Sequence, residues 1–128
     1  MSSSWGPGQP GVLKAFTANL AQAAATYDLA TATGGDVILE WAIVYVTTAG
    51  ATFTSVSIQS NDTTPVTILS AAEGAVANVT VGKNLKLFSS AAFIASGKKL
   101  QYSIIGVTGT GLLTVAVLSR PVVAGVLV

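Results

Sequence analysis

Apolar and polar side chains alternate with a period of two residues along most of this chain, starting at Val12. Because successive side chains of a β-strand point to opposite faces, this alternation predicts strands and not helices. Residues that favour strands, namely valine, isoleucine, threonine and the aromatics, are frequent in the alternating segments. The fold is therefore expected to be all-β.

Turn sequences interrupt the alternation at the spacing of about 8–12 residues that is typical of sandwiches and barrels. Thr33-Gly34-Gly35 and Gly82-Lys83-Asn84 are two examples. About eight to ten short strands in one domain predict a two-sheet β-sandwich, with a jelly roll as the most economical version. The predicted domain spans 12–128, and its strands are 13–18, 23–31, 36–46, 51–60, 65–70, 75–81, 85–88, 91–96, 99–107 and 112–119.

Several strands also carry a predicted orientation. In 99–107 and 112–119 the residues expected to face the core are Leu100, Tyr102, Ile104, Leu113, Val115 and Val117. In 51–60 the apolar positions change parity between Phe53 and Val56, which predicts a β-bulge. The Ala-rich stretch 18–25 could form a short helix, but the alternation that resumes at Thr26 favours a strand.

Segments 36–46 and 112–119 are unusual because they are apolar on both faces. In the first, the expected core face carries Val37, Leu39, Trp41, Ile43 and Tyr45. Its second face carries Ile38, Ala42, Val44 and Val46, and the second face of 112–119 carries Leu112, Ala116 and Leu118. A monomeric sandwich needs only one apolar face per strand, so the second faces are predicted to be covered by other protein.

The scarcity of charge supports this interpretation. Charged residues make up 9% of the chain, its net charge is +1, and 51% of its residues are hydrophobic. A surface made from this composition is too sparsely charged for an ordinary monomer.

The charge pattern and the segment lengths exclude two kinds of partner. With no basic stripe we expect no nucleic-acid binding. The alternating segments are mostly too short for an outer-membrane β-barrel, and no run is long enough for a membrane helix, so no membrane partner is expected.

Both ends of the chain are predicted to be partner surfaces. Residues 1–11 are rich in Gly, Pro and Ser and are expected to form a flexible or extended N-terminal arm. The apolar run 121–128 is either the last core strand or a segment buried against a neighbouring subunit. The predicted interface residues are Trp5, Pro7, Pro10, Ile38, Val44, Leu112, Leu118, Val122, Val126 and Val128.

No catalytic, cofactor or metal site is predicted. Histidine and cysteine are absent, which removes the usual bases, nucleophiles and soft metal ligands. The most suggestive carboxylates, Asp36 and Glu40, would lie about 13 Å apart along a strand. Glycosidases need separations of about 5–9.5 Å. The chain is therefore not expected to be an enzyme.

Two stretches resemble a known class of proteins. TYDLATATGGDVILEWAIVYVTTAGATFTSVSIQSNDTTP at 26–65 and GKKLQYSIIGVTGTGLLTVAVLSRP at 97–121 resemble capsid decoration (cement) proteins and related fibre domains of tailed bacteriophages. The resemblance implies a β-sandwich or jelly roll, often trimeric, made in the host cytoplasm. Such a protein binds the major capsid protein on the outer surface of the virion, with an N-terminal arm that reaches over the shell.

The alternative function is a receptor- or carbohydrate-binding module of a phage fibre. Such modules stack sugars on exposed aromatic side chains. Here the alternation assigns Trp41 and Tyr45 to the core, and Phe88, Phe93 and Tyr102 are expected there too. The sequence therefore favours the decoration protein.

Overall fold

The computed structural model describes residues 11–128, which form eight antiparallel strands. The strands are β1 (Val12–Asn19), β2 (Thr26–Thr33), β3 (Val37–Ser60), β4 (Thr67–Leu69), β5 (Asn84–Phe88), β6 (Ala92–Ile94), β7 (Lys99–Pro121) and β8 (Val126–Leu127). The described residues contain no α-helix, only a 3₁₀ turn at Val76–Asn78. The all-β prediction is confirmed. The predicted arm lies outside the described residues except for Gly11.

The two longest strands form the backbone of the sheet. β3 and β7 have 24 and 23 residues and pair along their whole length, from Val37 opposite Pro121 to Ser60 opposite Leu100. Their register shifts repeatedly in the middle of the ribbon, between Val46 and Ser55. Each shift adds a bulge, and bulges bend and twist a ribbon. The β3–β7 ribbon therefore belongs to two half-sheets that join at these bulges.

Each half-sheet has its own set of flanking strands. The first contains β1, the C-terminal part of β7, the N-terminal part of β3, and then β5 and β6. The second contains β4, the C-terminal part of β3, the N-terminal part of β7, β2 and β8. Together they make one continuous eight-stranded sheet.

The inner sides of the two half-sheets form one hydrophobic core. Leu39, Val44 and Leu113 in the first half-sheet and Ile58 and Leu100 in the second are all at most 1% exposed. Because the described residues include no helix that could cover these side chains, each half-sheet must cover the other. The architecture is sandwich-like.

Most predicted inward positions are confirmed. Leu100, Tyr102 and Ile104 are buried, as are the three positions predicted in 112–119. The predicted bulge in 51–60 is confirmed by the register shift between Phe53 and Ser55. Two predicted strands are wrong in place: 75–81 contains the 3₁₀ turn, and residues 20–25 connect β1 to β2. Two predicted breaks are also wrong, because 36–46 and 51–60 are continuous in β3, and 99–107 and 112–119 are continuous in β7. At Val76–Asn78 the side chains are not fully buried, so little packing favours a strand there.

The predicted orientation of β3 is wrong after Leu39. Leu39 lies opposite Ser119, but Trp41 lies opposite Leu118, so two residues of β3 match one of β7. This bulge at Glu40 reverses the parity. Val37 and Leu39 face the core as expected. Beyond the bulge the core residues are Ala42, Val44 and Val46, whereas Trp41, Ile43 and Tyr45 lie on the outer side.

The C-terminal run supplies a core strand. β8 pairs with β2, and Leu127 opposite Ala32 is 1% exposed. Residues 121–128 were predicted to be either the last core strand or a segment buried against a neighbouring subunit. At Leu127 the core strand is the correct alternative. Val126 and Val128, on either side of it, are 37% and 52% exposed.

Candidate partner-binding surface

The outer side of the first half-sheet is an apolar face. Across the strands, Leu13 is opposite Leu118, which is opposite Trp41. The next row runs from Ala15 through Ala116 and Ile43 to Leu87. We call the surface formed by these rows and their apolar neighbours the apolar face; its members are Leu13, Ala15, Ile38, Trp41, Ile43, Tyr45, Leu87, Phe93, Ala116 and Leu118.

Water reaches much of this face. Leu13, Leu87 and Phe93 are 62%, 65% and 52% exposed, and Trp41 and Ile43 are half-buried between their neighbours. Large apolar side chains that lie singly on a surface are ordinary, but a contiguous group marks an interaction site. The face is therefore the strongest candidate site in the described part of the chain.

Polar groups border the face at both ends of the strands. At one end Glu40 pairs with Arg120, with 3.6 Å between the carboxylate and guanidinium atoms. At the other end Thr17, Thr114 and Asn84 form a row with Tyr45. An apolar centre within a polar rim is the usual anatomy of a protein–protein interface.

The outer side of the second half-sheet is mostly polar, apart from the exposed Ile105 next to the bulges. We call it the polar face; it carries Thr26, Asp28, Thr31, Ser57, Gln59, Thr67, Lys99, Gln101 and Ser103. Its side chains are bonded to one another across the strands: Thr26 to Ser103 at 2.7 Å, and Lys99 and Gln101 to Asp28 at 2.6 and 3.0 Å.

The bonds to Asp28 have an electrostatic consequence. The hydrogen bond from Lys99, followed by that from Gln101, holds the pKa of Asp28 below its ordinary value. Both stabilise the ionised carboxylate. The polar face is thus a well-solvated surface of charges and amides. The two outer faces of this one sheet therefore differ in polarity.

Four of the predicted interface residues lie on or beside the apolar face. Ile38 and Leu118 belong to it. Leu112 borders it at the β1 end, opposite Asn19, and Val122 borders it at the other end, where its amide donates to the carbonyl of Asp36.

The other predicted interface residues lie elsewhere. Val126 and Val128 are on the margin of the second half-sheet, beside Thr33 and Thr31. Trp5, Pro7 and Pro10 lie outside the described residues.

The prediction for Val44 is wrong. This side chain is 0% exposed within the chain, because the bulge at Glu40 turns it into the core. The same bulge explains why Trp41 and Ile43 were missed as surface residues. Phe93 was also assigned to the core, but its neighbours Ala92 and Ile94 face inward instead. Leu13 was not identifiable from its local pattern, because the alternation in Leu13-Lys14-Ala15 would place Leu13 inward and Lys14 in water, whereas the structure has the reverse.

The two carboxylates that the sequence singled out each have their own partner. Asp36 accepts a 2.8 Å hydrogen bond from the amide of Ser96, and Glu40 is bound to Arg120 instead of a second carboxylate. Within 11–128 no group of three or more acidic residues is placed to hold a metal ion. No helix in this range is long and apolar enough to cross a membrane.

Comparison with known proteins gives no relative. No protein-family model matches the chain, and no curated protein matches it in sequence. The function must therefore be argued from the surface itself.

Proposed function

We propose that this chain is a structural protein of a virion, which binds the outer surface of a phage capsid and stabilises it as a decoration protein. Its partners are other copies of itself, a trimer by the resemblance, and the major capsid protein. The observation that carries the proposal is the contrast between the apolar face and the polar face. A protein of a shell needs one side that binds protein and another that tolerates solvent.

The strand order supports a jelly roll, the fold that the resemblance implies. If β3 and β7 are each divided at their bulges, the first half-sheet has the order β1–β7–β3–β5/β6. The second has β2–β7–β3–β4, with β8 added outside β2. Two four-stranded halves that share two long strands in this way are the arrangement of a double-sheet jelly roll, which is common among viral capsid domains.

The energetics of the face support a protein partner. Fully burying one Leu or Phe side chain contributes about 1.5–3 kcal/mol. Leu13, Leu87 and Phe93 are each more than half exposed, so much of this contribution is available to a partner. Trp41 lies between them in the centre, and a central tryptophan is a typical hot-spot residue.

Shells assembled with and without this chain test the proposal. Purified protein is mixed with capsids of the encoding phage that lack it, and bound protein is measured by co-sedimentation. We expect saturable binding and a higher melting temperature of the decorated shell. Shells that neither bind the protein nor gain heat stability would rule the function out.

One observation favours the fibre module as a second candidate. Trp41, Tyr45 and Phe93 were expected in the core, yet all three lie on the apolar face. Aromatic rings that reach the surface near charged groups, as Trp41 and Phe93 do near Glu40 and Arg120, are groups that bind sugars. The aliphatic side chains between them favour protein. Binding of the purified chain on a glycan array, abolished by Trp41→Ala, would decide for this alternative.

A further inference from the structure

Side-chain size is distributed unevenly along the central row of the apolar face. In that row β1 and β7 contribute the small residues Ala15 and Ala116, whereas β3 and β5 contribute Ile43 and Leu87. One half of the row is therefore low and the other high, and the boundary runs between β7 and β3, the two central strands of the half-sheet. The neighbouring row, with Leu13, Leu118 and Trp41, is large on both sides of this boundary.

The central row is complementary in size to a second copy of itself. Rotation by 180° about an axis that lies between β7 and β3, parallel to the strands and just outside the face, places β3 of one copy over β7 of the other. Ile43 then lies over Ala116 of the second copy, and Leu87 lies over Ala15. A two-fold axis produces every such contact twice, as an isologous interface requires.

The charges agree with the same operation. Glu40 projects from β3 and Arg120 from β7, so the rotation brings the carboxylate of one copy towards the guanidinium of the other. Tyr45 and Thr114, which lie opposite each other in the polar row, exchange partners in the same way. No like charges meet on the face, and opposite charges across an interface favour one register over others.

We propose that a second copy of this chain covers the apolar face, paired about this two-fold axis. The inference rests on the proposed function only in that both treat the face as a protein interface. A two-fold pair differs from the trimer that the resemblance implies. The pair would be the building unit of the assembly, with the polar face of each copy outward.

The size of the face sets the strength of the pairing. Four strands spaced about 4.8 Å and about eight residues of about 3.3 Å each cover roughly 500 Å² per copy. The total of roughly 1,000 Å² is near the lower limit for a specific interface. We therefore expect a weak, reversible dimer whose population depends on concentration.

Pairing through the face is favoured over pairing through the strand edge. β1 is the edge strand beside β7, and Lys14 lies in it, half-buried on the inner side. An inward-pointing lysine on an edge strand opposes the addition of another strand, because extension of the sheet would bury its charge.

The size complementarity can be tested with two variants, each of which changes the size of one side chain in the contact between Ile43 and Ala116. Ile43→Ala leaves small opposite small, and Ala116→Ile places large opposite large, so each variant alone should pair more weakly than wild type. In a mixture of the two variants, both kinds of contact are complementary again. We expect sedimentation velocity to show wild-type dimers, at least tenfold weaker dimerisation for each variant, and dimers restored in the mixture. Thermal melts check that both variants fold.

The outcomes separate this inference from the proposed function. A wild-type monomer at millimolar concentration, a trimer, or a mixture no tighter than its components would overturn the two-fold pairing. If wild-type protein that fails to form the two-fold pair still decorates capsids, the proposed function is supported and the pairing is not. Dimers that behave as expected but never bind capsids would support the pairing and contradict the function.

Discussion

Trp41 lies opposite Leu118 on the outer side of the first half-sheet, although two residues earlier Leu39 lies opposite Ser119. The additional residue, Glu40, forms the bulge that changes the parity of β3. Its carboxylate is bound to Arg120 on the neighbouring strand. One bulge thus decides that a tryptophan lies on the surface and that a valine three residues later, Val44, lies in the core.

The first prediction tests this parity with a pair of adjacent substitutions. Val44→Asp should prevent folding, since it buries a carboxylate in a site that is 0% exposed. Ile43→Asp should leave a folded protein, because its side chain is on the outer side. Circular dichroism and thermal melts of the two variants compare them directly. A folded Val44→Asp protein together with an unfolded Ile43→Asp protein would show that β3 has the opposite orientation.

The second prediction concerns the bulged middle of the ribbon. Gly106 has φ +104°, and a Cβ there would lie 2.5 Å from Oγ1 of Thr54 and 2.6 Å from its backbone nitrogen. Gly106→Ala should lower the free energy of unfolding by about 1–3 kcal/mol, from backbone strain and the close contact. Gly97→Ala is the control, because φ is +84° there but nothing lies within 4 Å of the Cβ. Urea denaturation should show the larger loss at Gly106.

The third prediction concerns the C-terminal strand. Leu127→Ala should destabilise the protein by about 2–5 kcal/mol, as expected for a buried leucine, whereas Val128→Ala should change stability by less than about 0.5 kcal/mol. Leu127 is 1% exposed and Val128 is 52% exposed. Chemical denaturation measures both. Equal, small effects would mean that 121–128 does not contribute a core strand.

The fourth prediction concerns acid. The hydrogen bond from Lys86, then that from the backbone amide of Ser70, lowers the pKa of Glu73 below its ordinary value of 4.5. Because the folded pKa is the lower one, the contribution of this carboxylate is complete above pH 4.5 and is lost as the pH falls through the folded pKa.

Glu73→Gln should therefore cost up to about 1 kcal/mol at pH 7, the usual scale for a pair near the surface. The difference from wild type should shrink towards pH 3. Unfolding curves at pH 7 and pH 3 give both values. A difference that grows in acid would contradict the assigned direction of the pKa shift.

The sequence was sufficient for the strand content and for much of the core. Alternation in 99–107 identifies the inward residues correctly, because 99–104 is apolar on one side only and keeps its parity over Leu100, Tyr102 and Ile104. The bulge near Phe53 was also predictable, since apolar residues mark both parities there. The bulge at Glu40 was not, because 36–46 is apolar on both sides and either parity would bury large residues.

The candidate site was predictable only in outline. Two-sided apolar strands indicated an outer apolar surface that includes Ile38 and Leu118. Its other members come from four strands far apart in sequence, and only the pairing of β1 and β5 with the central ribbon brings Leu13 and Leu87 to one surface. The polar second half-sheet gave no comparable signal, because serine, threonine and glutamine suit either solvent or an interface.

The most direct test of the account compares matched charges on the two outer faces. Ile43→Asp lies at the centre of the apolar face, and Ser57→Asp lies opposite Ser103 on the polar face, also half-buried. Native mass spectrometry over a range of concentrations measures self-association of both variants and of wild type. We predict that Ile43→Asp is monomeric throughout, whereas Ser57→Asp associates as wild type does. Association that survives Ile43→Asp, or that is lost with Ser57→Asp, would contradict the assignment of the apolar face as the interface.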